Sequence, residues 1–214
     1  QISNEESVHY AMSQHPDPKD VLLISGGISG ITQEILKYNI KRVDYVEINP
    51  AIFYIGKKFT TSLNDKRINT IRHDARIYIH KTKSMYDVIL INLPEPSTAE
   101  LNRYYTIEFL SEIKRILNKN GIIMMSLPST ANYINDEAIQ LNSVIYNTCK
   151  KVFEYVLIIP GERNYFLASD MPLTVFVTQF IENKMIETIY LNSYYIDDSL
   201  LERRSDYFMG NLNP

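Results

Sequence analysis

Between residues 21 and 47 the chain passes through an apolar run, a glycine-rich turn, a helical stretch, a second apolar run and a carboxylate. That order narrows the fold to the nucleotide-binding type of α/β domain. Val21, Leu22, Leu23 and Ile24 are consecutive apolar residues, as expected of a parallel strand covered on both faces. Ser25, Gly26, Gly27, Ile28, Ser29 and Gly30 follow at once, and a turn this poor in Cβ atoms lets backbone N–H groups approach a ligand. Glu47 closes the next strand, residues 43–46, about 20 residues beyond the turn, where an acid accepts both hydroxyls of a ribose. Taken alone, the turn also reads as a tight connection, since Ser25 stands at the first glycine of G-x-G-x-x-G, and Glu47 alone reads as a solvated strand end. Together they predict a site for an adenosine-containing molecule.

With 214 residues, of which 45% are hydrophobic, residues 1–214 suffice for a full core as a single domain. A net charge of -3, with Lys and Arg scattered along the chain, gives no field for wrapping nucleic acid, so no nucleic-acid partner is expected. Cys149 is the only cysteine, which excludes an internal disulfide or a cysteine-rich zinc set and suggests a buried, inert thiol in a reducing compartment. No apolar run approaches the roughly 20 residues that span a bilayer. The chain begins at Gln1, just ahead of a helical pattern, and is expected to be a segment of a longer protein.

Ser3 with Glu6 makes a capping-box pattern before a helix to about Gln14. Strands are expected at residues 21–24, 43–46, 67–71, 88–91 and 121–127, with helices at 50–59, 75–80, 106–117 and 136–150. Two later strands are expected at 156–159 and 174–180, then a polar helix at 197–208. Alternating strands and helices with short loops imply a parallel sheet wound on both faces, and the two late strands imply an antiparallel edge. This order resembles the seven-stranded, Rossmann-like sheet of S-adenosylmethionine-dependent transferases. Ligands bind such sheets at the carboxyl ends of the strands. The candidates are therefore the glycine turn, Glu47, Ile48 and Asn49, then His73 to Arg76, and Asn92 to Thr98.

The stretches VLLISGGISG, VDYVEINP, INTIRHDAR, YDVILINLPEPSTAELNRYYTIEFL and IPGERNYFLASD together resemble the spermidine synthase family of polyamine aminopropyltransferases. They are more narrowly similar to bacterial spermidine-synthase-like domains fused to membrane segments. The resemblance implies that Ser25, Gly26, Gly27, Ile28 and Gly30 hold decarboxylated S-adenosylmethionine, that Glu47 and Ile48 flank its ribose, and that Asp74 and Ala75 read its adenine. Asn92 and Glu95 fall on the family's D-x-x-D-P aspartates, the first activating the attacking amine and the second holding a cationic acceptor. Tyr104 and Tyr105 follow in the loop to the next helix. His9 and Tyr165 are candidates for lining and covering the acceptor pocket, with a polar helix face and ordinary packing as their plainer readings. His73 reads as a surface residue, and Arg103 as a residue that could bind an acidic group, with a solvated arginine as its plainer reading.

The departures from the family leave the donor half better preserved than the acceptor half. Ile28 replaces the turn aspartate that pairs with the donor's ammonium, Val8 replaces the tyrosine before His9, and IPGERNYF replaces a tyrosine-proline stretch. Asn92 replaces the catalytic aspartate; an amide oxygen accepts a hydrogen bond from an amine but cannot take its proton. The resemblance implies a transferase that moves an aminopropyl group to an amine such as putrescine, with decarboxylated S-adenosylmethionine or S-adenosylmethionine as co-substrate. No metal is expected, because the sulfonium leaves as a neutral thioether. A methyltransferase and a non-catalytic adenosyl-ligand sensor stand as alternatives. A cytoplasmic domain is implied, with a membrane tether outside this chain and a homodimer left open.

Overall fold

The computed structural model describes residues 1–129 and 136–213. Its elements in chain order are α1 (Ile2–Met12), β1 (Asp20–Ile24), α2 (Thr32–Leu36), β2 (Arg42–Glu47), α3 (Pro50–Phe59), β3 (Ile68–Arg72), α4 (Ala75–Lys81), β4 (Tyr86–Ile91), α5 (Ala99–Asn102), α6 (Ile107–Arg115), β5 (Leu117–Pro128), α7 (Asp136–Lys150), β6 (Tyr155–Pro160), β7 (Arg163–Ser169), α8 (Val177–Asn183) and α9 (Asp198–Gly210). The strands form one seven-stranded sheet in the order β3-β2-β1-β4-β5-β7-β6. The first five positions are mutually parallel, and β7 runs antiparallel to both β5 and β6. The expected α/β sheet with an antiparallel edge is therefore the observed one.

Strand periodicity explains why the central runs are apolar throughout. Val21 and Leu23 join one core cluster while Leu22 and Ile24 join the other, and Val88, Leu90 and Ile89, Ile91 divide in the same way. Alternate side chains leave opposite faces of a strand, so both faces must be covered. On one face lie Val8, Ala11 and Met12 of α1, Ile35 of α2 and Ile181 of α8. On the other lie Ile79 of α4, Phe109 and Ile113 of α6, Ile145 and Cys149 of α7, and Phe208 of α9. Burial pushes the Cys149 thiol up to about 12, which keeps it protonated and unreactive. Among the described residues no helix is long and apolar enough to cross a membrane.

Two expectations are corrected. The last strand is β7, Arg163–Ser169, whereas residues 177–183 form α8. The β-branched residues of the TVFVTQF stretch favour a strand locally, but Val177, Thr178 and Ile181 are the buried positions, a helical spacing that packing against the sheet selects over propensity. Ser3 lies inside α1 with no capping role. Glu6 instead accepts the Glu162 N–H at 3.0 Å and the Tyr10 hydroxyl at 3.3 Å.

The neighbouring Glu5 is fully buried, and its carboxylate accepts the backbone N–H groups of Ile189, Tyr190 and Leu191 at 2.9, 2.9 and 3.1 Å. It fastens the segment between α8 and α9 onto α1. Glu5→Ala strands these donors, and each buried unpaired N–H costs about 1–3 kcal/mol. Urea unfolding should show a loss of about 3 kcal/mol or more, with a smaller loss for Glu5→Gln, which keeps an acceptor oxygen.

Candidate active site

At its carboxyl end β1 is held from both sides. Ser25 N–H donates to the Val46 carbonyl of β2 at 3.0 Å, and Asn92 N–H donates to the Ile24 carbonyl at 2.9 Å. Ser25 and Gly26 then take left-handed φ values of 63° and 76°, turning the chain sharply into one wide helical turn, Gly27–Ile31. Gly26 is required twice over: its φ disfavours a side chain, and a Cβ there would overlap the Asn92 amide, with Nδ2 at 1.7 Å. Glycine turn and Asn92 are thus in direct contact.

Glu47 ends β2 in register with Arg72 and is only 5% exposed. Its Oε2 accepts the Ser25 hydroxyl at 2.8 Å and its Oε1 the Asn49 N–H at 3.0 Å. Each carboxylate oxygen keeps a further lone pair for another donor, so the group fits the bidentate role expected toward a ribose. Beside it, Ile48 is 62% exposed. Asp74 caps α4 by accepting the N–H groups of Arg76 and Ile77 at 2.9 and 3.3 Å, with Ala75 buried behind it. The other Asp74 oxygen accepts from Arg103 Nη2, whose guanidinium lies 4.8 Å from the Tyr104 ring centroid. Although burial raises the Asp74 pKa, the Arg103 and backbone hydrogen bonds outweigh it and the net direction is downward. Arg103, read from sequence either as binding an acidic group or as solvated, therefore closes on the candidate adenine-reading acid.

Asn92, Leu93, Pro94 and Glu95 line one side of a cleft of about 400 Å³. Ser3, Asn4 and Ser7 of α1 line another, with Ser29 and Ile31 from the turn and Arg163 from the start of β7. Asn4 Nδ2 donates to the Ser29 carbonyl at 2.5 Å and holds α1 against the turn. The Tyr105 hydroxyl donates to the Pro94 carbonyl at 2.7 Å and fixes the proline-bounded loop that carries Glu95. A second cleft, of about 300 Å³ around Lys114, Asn118, Lys119 and Asp170, is at the opening of β5 rather than at a carboxyl strand end. Among the described residues no group of three or more His, Cys, Asp or Glu side chains is arranged to hold a metal ion.

Three candidates are placed differently from expectation. His9 is fully buried and lines no part of the cleft; it contacts the Tyr38 hydroxyl and the Glu34 carboxylate, both at 2.9 Å. Tyr165 lies on β7, not in a loop, and is buried edge-on against Tyr10 with its hydroxyl 3.4 Å from Ser3. The Ile28 side chain is directed at α3, where its Cγ2 would lie 2.5 Å from a Cβ on Gly56. His73 is exposed, with Nδ1 against the Asp74 carbonyl. Ser29 belongs to the expected turn, whereas Ser3, Asn4, Ser7 and Arg163 were not anticipated as site residues. Ser3 and Ser7 are one helical turn apart on α1, and this polar spacing was the available signal.

Comparison with known proteins bears on the family and the fold. The family model described as "Spermine/spermidine synthase domain" matches residues 1–172. The chain belongs to the spermine/spermidine synthase family. A polyamine aminopropyltransferase of Prochlorococcus marinus (strain MIT 9215) is 31% identical over 190 residues, covering 84% of this chain and 67% of that protein. One from Pyrobaculum calidifontis is 31% identical over 134 residues, 58% of this chain. The chain spans 46% of the length of the Pyrobaculum relative and 26% of one from Oceanobacillus iheyensis. Among solved structures, spermidine synthase in complex with the transition state analogue AdoDATO superposes with a TM-score of 0.80 at 20% identity, over 98% of this chain and 75% of that one. Human methyltransferase-like protein 13 in complex with SAH gives 0.67 at 16% identity, over 94% and 97%. At these identities the two structures establish the fold, shared between this family and methyltransferases.

The placement of His9 generates a pH prediction. Burial lowers the imidazole pKa below its usual 6.5 and outweighs the pull of Glu34, whose charge is already met by Lys37 Nζ at 2.6 Å. The unfolded chain then binds a proton that the folded one excludes, so stability is full above 6.5 and declines as pH falls from there toward the lower folded value. Thermal melts between pH 7.5 and 5 should show Tm falling with acidity, and His9→Gln, which cannot titrate, should flatten that slope while lowering Tm at pH 7.5.

Proposed function

We propose that the domain binds an adenosyl ligand, decarboxylated S-adenosylmethionine or a close analogue, at the carboxyl edge of the sheet. We further propose that an amine in the adjoining cleft accepts its aminopropyl group. The observation that supports the reading is the convergence of the glycine turn, Glu47, Asp74 and Asn92 at the ends of adjacent parallel strands. Glu47 would accept the ribose hydroxyls, and Asp74 would read the adenine edge once Arg103 shares or yields its oxygen.

In this reaction the amine nitrogen donates its lone pair to the carbon beside the sulfonium. The C–S bond breaks with its electrons going to sulfur, and the thioether leaves neutral. The nitrogen must be unprotonated to attack; with a pKa near 10, only about one amine in a thousand is neutral at pH 7. Asn92 orients such an amine but takes no proton, so solvent must receive it. Turnover is therefore expected to be slow at neutral pH and to rise with pH. Binding without turnover, a sensing role, is the second reading, and Asn92 is the residue that favours it.

Calorimetry with 5′-methylthioadenosine tests the adenosyl pocket. Glu47→Gln should weaken binding at least about tenfold, since a hydrogen bond to a charged acceptor is worth about 1.5–3 kcal/mol; unchanged affinity removes Glu47 from the site. Product thioether formation with putrescine tests turnover. Asn92→Asp should raise it by about 10- to 1,000-fold near neutral pH, the usual range for a restored general base with allowance for imperfect geometry. A variant that binds donor yet stays at background at every pH establishes the sensing reading instead.

A further inference from the structure

The cleft beside the glycine turn is balanced in charge. Among the described residues that line it, Glu95 is the one carboxylate and Arg163 the one cation, beside hydroxyl, amide and hydrocarbon side chains. Neither residue enters an ion pair among the described residues. Arg163 pairs in register with Pro128 at the end of β5, one strand away from Asn92. Its Nε donates to the Ser126 hydroxyl at 2.8 Å and its Nη2 approaches the Ser126 carbonyl at 3.4 Å. Those contacts fix the plane of the guanidinium and leave its remaining donors for a ligand. Nearby, burial raises the Tyr105 phenol to about 12, with Arg163 acting to lower it and Glu95 to raise it.

We propose that this cleft receives an amino-acid end, its carboxylate on the Arg163 fork and its ammonium or amine facing Glu95, rather than a purely cationic diamine. A planar guanidinium held on one edge presents parallel N–H donors to a carboxylate. A diamine would instead set its second ammonium against Arg163, a like charge in a partly desolvated cleft. The amino-acid end has two possible carriers, the methionyl tail of intact S-adenosylmethionine or a basic α-amino acid acting as acceptor. The inference rests on the adenosyl-site reading only for which end of the ligand enters the cleft.

Two ligand pairs differ by a single carboxylate: S-adenosylmethionine against decarboxylated S-adenosylmethionine, and ornithine against putrescine. Each is titrated calorimetrically into the wild-type chain, Arg163→Gln and Arg163→Lys, with 5′-methylthioadenosine as a ligand that lacks the tail. In at least one pair the carboxylated member should bind the wild type about tenfold or more tightly. Arg163→Gln should abolish that preference, Arg163→Lys should keep part of it, and 5′-methylthioadenosine should bind all three chains alike. The pair that shows the preference names the carrier. Equal affinities within both pairs, a preference for the decarboxylated members, no binding of any of the four, or a preference that survives Arg163→Gln overturns the proposal. Failure of 5′-methylthioadenosine to bind the wild type counts against the adenosyl site alone, because ornithine and putrescine titrated without nucleoside still decide the cleft.

Discussion

The left-handed turn at the end of β1 is the constraint on which the rest of the site depends. Ser25, at φ 63°, adopts a conformation that a residue with a Cβ rarely takes. It is held there by its N–H on Val46 and its hydroxyl on Glu47. Gly26 then leaves room for the Asn92 amide. One strained step therefore draws the ends of β2 and β4 against the end of β1, and the Glu47 carboxylate and the Asn92 amide are brought to opposite sides of the same backbone. Strain of this kind persists only where the surroundings over-determine it, and here hydrogen bonds from two neighbouring strands do so.

Two positions where the family resemblance implies a carboxylate hold uncharged side chains here, in different surroundings. Ile28 stands where the family's turn aspartate would meet the donor's ammonium, yet it fills a notch that Gly56 leaves in α3. A carboxylate at that position would be driven into hydrocarbon beside Leu63. The loss of charge is thus coupled to packing and is not simply a missing ligand. Asn92 removes a second carboxylate while preserving size and the contact with Gly26. Glu95 keeps its place because Tyr105 fixes its loop from outside the cleft. The side chains at these two positions, Ile28 and Asn92, therefore carry no negative charge.

The central sheet and the grouping of the glycine turn and Glu47 at one of its edges were legible in the sequence because they follow from strictly local pattern. A continuous apolar run must be a strand covered on both faces, and a glycine turn with an acid about 20 residues on places both at one edge. The acceptor half was harder to read, since each of its features depends on contacts between distant residues. Arg163 falls between the strands expected at residues 156–159 and 174–180; with β7 at Arg163–Ser169, the same residue opens a strand beside the end of β5. His9 looks like a pocket residue by its position on a polar helix, but its partners Tyr38 and Glu34 lie 29 and 25 residues away. Arg103 gives no local sign that Asp74 is 29 residues distant in sequence and in contact with it.

The same long-range character explains why α1 matters beyond its share of the core. Asn4 holds the glycine turn, Glu6 holds the β6–β7 hairpin through Glu162, and Glu5 holds residues 189–191. Gly161 is close enough to Glu6 that a Cβ there would lie 2.3 Å from its Oε1, so hairpin and helix meet without slack. Ser3 and Ser7 stand on this same helix and face the cleft. A carboxylate buried in this way carries a large desolvation penalty, which the backbone donors must offset; for Glu6, burial prevails and its pKa is raised despite them. The helix that carries Ser3, Asn4 and Ser7 on the cleft wall is thus fastened by Glu5 to residues 189–191 and by Glu6 to the hairpin, and the charge balance between Glu95 and Arg163 is presented on a surface whose spacing those acids help to set.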